Sequence, residues 1–300
     1  MTQTALLLVV VSVCLHVSWN LISKRERPTP AFFLVSLATS TVLLLPVLVW
    51  NRADIEPTLM RIWPILLGTA FFSTVYNVAL AGAYQAADLS LVYPLARSLA
   101  PAVVALASVA LGRGGAISWG CWAGIVLIIL GSMLLPLRSR QDLRLENYLG
   151  PGFLLALVTA LGTAGYTLTD DAGVRLLRSS TGLGPIGTGL FYGALHSWAT
   201  TIGLTLYVCA SRSGRQELRA VVGASARRAA LVGAVSYASY ILVLVAMTLV
   251  RDVSYVAAFR QLGVPLSVAA GGLLLGERFG APRLAGAAVI FLGLILVAAR

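Results

Sequence analysis

The chain alternates between long apolar runs and short polar joints. Ten runs approach the length that crossing a bilayer requires, about 20 residues. They cover approximately residues 3–22, 31–50, 62–85, 88–111, 117–137, 148–169, 185–209, 228–250, 253–275 and 281–299. Lipid offers backbone N–H and C=O groups no partner, so segments of this length must be helices. The pattern predicts an all-α membrane protein with ten transmembrane helices. The first run reads as a span and not as a cleavable signal. No basic stretch precedes it, and it ends in Asn20 and Lys24 without a small-residue cleavage site.

A polar stretch from Arg138 to Asn147 divides the runs into two halves of five, residues 1–145 and 146–300. Five is odd, so the halves must sit in opposite orientations, which makes an inverted repeat. Residue types support the repeat. Asp88, Ser90, Pro101 and Gly112 reappear, 164 positions later, as Asp252, Ser254, Pro265 and Gly276. Tyr76 and Tyr240 share that offset, and Trp19 and Tyr166 fall near the ends of the first and sixth runs. Interrupted apolar segments in corresponding positions of two halves point to a transporter's binding site. Asp88 and Asp252 stand where an N-cap would accept bonds from the next helix.

Composition narrows the class. Hydrophobic residues make up 58% of the chain and charged residues 11%, where soluble domains carry about 25% charged. Mean hydropathy is +0.88. A soluble all-α protein is excluded on these grounds. The net charge of +11 does not indicate nucleic acid, because the arginines lie in short joints beside apolar runs, where they set topology and meet anionic headgroups. Of the 22 Lys and Arg, thirteen fall on one set of alternating joints and seven on the other. That bias places both termini outside the cytoplasm.

The remaining two cations, Arg97 and Arg260, lie inside apolar runs. Arg97 is nine residues past Asp88, roughly 13 Å into a core about 30 Å thick. A charge at that depth is costly and points to function. Ser90, Tyr93, Pro94, Arg97 and Pro101 recur at three- and four-residue steps and share one helix face. Pro101 cannot donate to the carbonyl of Arg97, nor Pro94 to that of Ser90. Pro265 likewise frees the carbonyl of Gln261, the counterpart of Arg97. These three prolines are the expected helix breaks.

The pattern predicts a central cavity lined by Arg97, Tyr93, Gln261 and Arg260, with Ser90, Trp19 and Asn20 as further contacts. Guanidinium groups bind carboxylate or phosphate in bidentate fashion, which suits an anionic or zwitterionic solute. The competing reading makes each arginine structural, paired with aspartate or carbonyl oxygen. His16 and His196 are candidates for proton coupling or else satisfied packing residues. Tyr84, Gln85, Tyr237 and Tyr240 rank lower, since tyrosines near span ends often serve as interface anchors.

No acidic residue falls in the middle of a predicted span, and Asp170 and Asp171 close the sixth. This argues against exchange of cationic drugs for protons. No phosphate-binding loop, metal cluster or cofactor motif is present, so neither an enzyme nor a resident metal or cofactor is expected. Cys14, Cys121 and Cys209 lie inside runs and read as packing residues. Gly120 and Gly124, Gly189 and Gly193, and Gly272 and Gly276 have the spacing that lets helix backbones approach, within a monomer or across a homodimer.

Three stretches resemble EamA-type transporters of the drug/metabolite transporter superfamily. Residues 83–106, AYQAADLSLVYPLARSLAPAVVAL, are similar to the fourth span of that family. LHVSWNLISK, 15–24, is similar to its first. LLLGERFGAPRLAGAAVIFLGLILV, 273–297, is similar to its closing pair. The resemblance implies a ten-helix inverted repeat of two EamA units, alternating access around a central cavity, and a bacterial inner membrane. Members move amino acids, other metabolites or drugs, often outward, and one subgroup with a similar first span is associated with phosphonate use. Two features depart from the family. Gly112-Arg113-Gly114 stands where Gly-Glu-Arg is frequent, and family members are read with cytoplasmic termini, against the arginine bias. The expected partners are a small-molecule solute and the bilayer. The expected function is transport of a small anionic or zwitterionic metabolite, with broad export of lipophilic compounds as the alternative.

Overall fold

The computed structural model describes residues 2–23, 28–86, 89–112, 117–134, 137, 151–266 and 280–298, with the side chains at 21, 84, 89–98 and 298 outside that description. The described elements are all helical. In order they are α1 (Gln3–Ser23), α2 (Pro30–Leu43), α3 (Leu45–Trp50), α4 (Arg52–Ala86), α5 (Leu89–Ala110) and α6 (Trp119–Leu134). There follow α7 (Pro151–Thr181), α8 (Pro185–Ala210), α9 (Arg212–Ala224), α10 (Ala226–Met247), α11 (Val253–Phe259), a 3-10 turn (Arg260–Leu262) and α12 (Ala281–Ala298). Among the described residues five stretches are long and apolar enough to cross a bilayer: Gln3–Asn20, Pro30–Trp50, Arg52–Ala83, Pro151–Thr181 and Ala226–Met247. The chain is a multi-pass membrane protein. Its surface agrees, because large apolar side chains such as Trp50, Trp119, Ile186 and Leu206 face outward, while many serines and threonines are buried.

Helix boundaries depart from the apolar runs where hydropathy misleads. The second run is two helices, since Leu44 separates α2 from α3 just before Pro46. Helix α4, which covers the third run, begins ten residues before it and carries Pro57 and Pro64 inside it. Asp54 in its first turn complements the positive helix end. The sixth span does not stop at 169. Helix α7 continues to Thr181, so Asp170 and Asp171 lie within a helix instead of closing one. The joint at 210–228 is helical as well. Ser211 caps α9, its Oγ accepting the Gly214 N–H at 2.9 Å. Leu218 and Val221 pack on the apolar cluster around α2 and α8, and Arg212, Arg215 and Arg219 are exposed.

The expected helix breaks need correction in the first half. Helix α5 runs unbroken through Pro94 and Pro101. A proline removes one ladder bond, and a helix packed on its neighbours can absorb that loss. In the second half the irregularity is real. Helix α11 tightens into the 3-10 turn at Arg260–Leu262 before helical residues 263–266, which include Pro265. Asp252 caps α11, with Oδ1 accepting the Ser254 N–H at 2.8 Å. Asp88, Gly272 and Gly276 lie outside the described residues.

The two halves of the sequence interleave. Helix α1 packs along α10 and α4 along α7; α2 packs on α8 and α10, α4 on α8, α5 on α7, α11 and its 3-10 turn on α1, and α6 on α12. Small residues permit the closest of these approaches. A side-chain carbon on Gly131 would come within 2.7 Å of the Gly286 carbonyl, and Gly124 meets Gly293 more closely still. The packed faces of α6 and α12 therefore have no room for a methyl group at those positions.

Candidate functional site

Two adjoining cavities open between α1, α4, α7, α10 and the 3-10 turn. The first encloses about 540 Å³ of space, part of it open to solvent, and the second about 770 Å³. His16, Tyr76, Tyr166 and Arg260 border both.

Helix α1 contributes one polar end. Trp19 Nε1 donates to His16 Nδ1 at 3.2 Å, and the two rings meet edge to face. Asn20 Nδ2 donates to the His16 carbonyl at 2.7 Å. His16 and Asn20 border the first cavity, and His16 and Trp19 the second. The 3-10 turn contributes the opposite wall. Arg260 hydrogen-bonds Tyr166, and its guanidinium carbon lies 5.9 Å from the Tyr240 ring centre, within cation–π range. Gln261 is buried and borders the first cavity. Its Nε2 donates to the Ala257 carbonyl at 3.3 Å, while its Oε1 has no partner among the described residues.

Between these walls stands an aromatic column. Tyr76 and Tyr240, related by the 164-residue offset, flank Tyr166 with ring centres 5.5 Å and 6.0 Å away. Thr159, Thr163 and Thr167 line the first cavity beside them, one helical turn apart on α7.

Behind the column lies a polar cluster centred on Asp170, which is fully buried. Its Oδ1 accepts from the hydroxyls of Tyr192 at 2.9 Å and Thr69 at 3.0 Å. Its Oδ2 accepts from Tyr240. His196 Nε2 lies 3.7 Å from Oδ2, and His196 Nδ1 is 2.8 Å from the Tyr237 hydroxyl. The expectation that no acidic residue lies within a span is overturned here. An acidic side chain is accommodated at this depth because hydroxyls from α4, α8 and α10 replace water. Asp171, next in the chain, is held differently. Arg175 Nε donates to both of its oxygens at 2.9 Å.

Of the expected site residues, Arg260, Gln261, Trp19, Asn20, His16 and His196 converge on the cavities. The side chains of Ser90, Tyr93, Pro94 and Arg97 lie outside the described residues. Tyr237 and Tyr240, ranked low by sequence, line the second cavity, whereas Gln85 is exposed. Sequence reasoning missed Asp170 and Thr69. A usable signal was present in the four-residue spacing of Thr159, Thr163 and Thr167, with Asp170 four beyond Tyr166. Among the described residues no group of His, Cys, Asp and Glu could hold a metal ion.

No protein-family model matches the chain, and no curated protein matches it. Solved structures do match. In one, described only as a crystal structure of a protein, the fold agrees with a TM-score of 0.68 at 18% identity, over 100% of this chain and 97% of the other. At that identity the likeness establishes a shared fold and nothing about activity.

Proposed function

We propose that this protein is a secondary transporter of a small anionic or zwitterionic metabolite, of amino-acid, carboxylate or phosphonate type. The observation that carries the reading is a cation and an amide, Arg260 and Gln261, presented by an irregular turn to cavities in the interior of a membrane protein. Irregular backbone at membrane depth is sustained where it lines a cavity or meets protein. Arg97 is the first-half counterpart in this proposal.

The packing supports a ten-span inverted repeat of two EamA-type units, alternating in access. Three contacts between halves have reciprocal partners: α1 with α10 and α7 with α4, α2 with α10 and α8 with α4, α5 with α7 and α11 with α1. A two-fold pseudo-axis relating the halves accounts for these pairs. The plasma membrane of a bacterium is the corresponding location.

The buried Asp170 favours a second reading, export of lipophilic cations through the aromatic cavity bordered by Trp19, Phe33, Tyr76, Tyr166, Tyr237 and Tyr240. Asp170 borders neither cavity, however, and a solute there meets Arg260 first. Thermal stabilisation of the purified protein by panels of anions, zwitterions and lipophilic cations separates the two, because a ligand of the folded state raises its stability. Stabilisation by carboxylates, phosphonates or amino acids, lost in Arg97→Ala and weakened in Arg260→Ala, supports the first reading. Stabilisation by lipophilic cations alone replaces it with the second.

A further inference from the structure

Asp170 and His196 face one another across a gap that no hydrogen bond closes. His196 Nε2 is buried and has no hydrogen-bond partner among the described residues, though it stands 3.7 Å from Asp170 Oδ2. The surrounding bonds decide which ring nitrogen carries hydrogen. The Tyr237 hydroxyl donates to the Gly193 carbonyl at 2.8 Å, and a carbonyl has no hydrogen to return. With the Tyr237 hydrogen assigned to that carbonyl, Tyr237 accepts from His196 Nδ1 at 2.8 Å, whereas the opposite tautomer would place hydrogen on Nε2, facing Asp170. Neutral His196 then holds its hydrogen on Nδ1 and a bare lone pair on Nε2.

The other groups facing the pair leave that lone pair unmet. Tyr240 on α10 gives its hydrogen to Oδ2, and Tyr192 on α8 and Thr69 on α4 are directed at Oδ1. Tyr166 on α7 and Arg260 beyond the Tyr240 ring complete the polar surroundings. Asp171 is engaged by Arg175. In this tautomer two electron-rich atoms face one another, with no donor between them among the described residues. One proton from solvent, added to the Nε2 lone pair, turns the repulsion into an imidazolium–carboxylate attraction.

We infer that Asp170 and His196 form a proton-binding site and that its proton is the carrier's coupling ion. The inference rests on the transport reading above. Tyr240 links the two sites, with its hydroxyl on Asp170 and its ring beside Arg260. His196, Tyr237, Tyr240 and Arg260 border the same cavity. A proton bound there adds positive charge beside that cavity and strengthens its hold on an anion. By linkage, a bound anion strengthens the hold on the proton. Proton and anion therefore load together.

The chain contains two histidines, so 15N-histidine labelling resolves each ring in nanodiscs, and His196→Gln assigns the signals. Alkaline buffer should show His196 with hydrogen on Nδ1 and none on Nε2. Acidification should protonate Nε2. Asp170→Asn should leave Nε2 bare at a pH where the parent protein holds the proton. Tyr240→Phe, which withdraws a donor from the carboxylate, should make the pair hold its proton to higher pH. Each variant is first shown to unfold cooperatively. Should Asp170→Asn fail to fold, Tyr240→Phe still decides. Hydrogen on Nε2 in alkaline buffer, or a midpoint unmoved in both variants, overturns the proton site.

The coupling is tested with L-glutamate and L-lactate, whose own charges stay constant between mildly acidic and mildly alkaline buffer. Both should stabilise the parent protein more in the acidic buffer and stabilise Asp170→Asn equally in the two. Equal stabilisation of the parent in both buffers overturns the coupling. Stabilisation by neither probe counts against the anion reading and against the coupling, while the histidine spectra decide the proton site independently.

Discussion

Two ionisable groups stand on either side of Tyr240, and the fold houses them differently. Asp170 is wrapped by the hydroxyls of Thr69, Tyr192 and Tyr240 from three helices and borders neither cavity. Arg260 borders both, held through Tyr166 and the face of Tyr240. One charge has dedicated partners in place of water. The other is presented to both cavities. Burial alone therefore does not define a transport site; what distinguishes these charges is whether protein or cavity completes their surroundings.

The contrast breaks most severely at Asp170. Truncation in Asp170→Ala removes the carboxylate acceptor from the buried hydroxyls of Tyr192 and Tyr240, each costing about 1–3 kcal/mol when unsatisfied, while Thr69 keeps Thr169 Oγ1 as an acceptor at 2.8 Å. The expected loss is about 3 kcal/mol or more, read as a lowered unfolding midpoint in detergent. Tyr240→Phe removes one charge-assisted bond and keeps the ring beside Arg260, so the loss should be smaller, about 1.5–3 kcal/mol. An unchanged midpoint in that variant would mean the Tyr240 hydroxyl contributes nothing to holding the carboxylate.

Arg260→Ala should act on binding instead of folding. Losing a charge-assisted contact should weaken anion binding about tenfold, equivalent to about 1.4 kcal/mol, with a smaller change in stability. Calorimetric titration with the anion that stabilises the parent protein measures it, and undiminished affinity would make Arg260 structural. The smallest effect is expected from Asn20→Ala. The Asn20 amide hydrogen is already engaged by the His16 carbonyl, so removal should weaken binding by only about 0.5–1 kcal/mol. A larger loss would move the centre of the solute site toward α1.

Much of the candidate site was legible. Arg260, Gln261, His16, Trp19 and Asn20 are polar or aromatic interruptions of apolar runs, and the structure gathers them on the cavities. Asp170 escaped for a definite reason. A charge at the end of an apolar run normally marks the water boundary, so the sixth span was ended at 169, yet α7 carries on to Thr181. The groups that make burial tolerable come from elsewhere. Tyr192 and Tyr240 lie 22 and 70 residues away in sequence, and Thr69 lies 101 away. The joint between the runs ending at 209 and starting at 228 folds as a helix that hydropathy does not show, for a related reason. Its apolar positions form a narrow stripe, Leu218 and Val221, that hydropathy averages away but a helix needs for docking.

Local physics thus determined the helices. Backbone groups in lipid must satisfy one another, so long apolar runs pointed to helices and to a membrane, though not to the helix boundaries. Interruptions within those runs also located most of the polar side chains with access to an interior space. The tertiary structure decided which charges are sealed and which are presented. Asp170 and Asp171 are neighbours of one residue type, but a helix turns about 100° per residue. That turn points Asp170 at hydroxyls from three helices and Asp171 at Arg175. Their environments are fixed by the approach of distant helices, which no local pattern encodes.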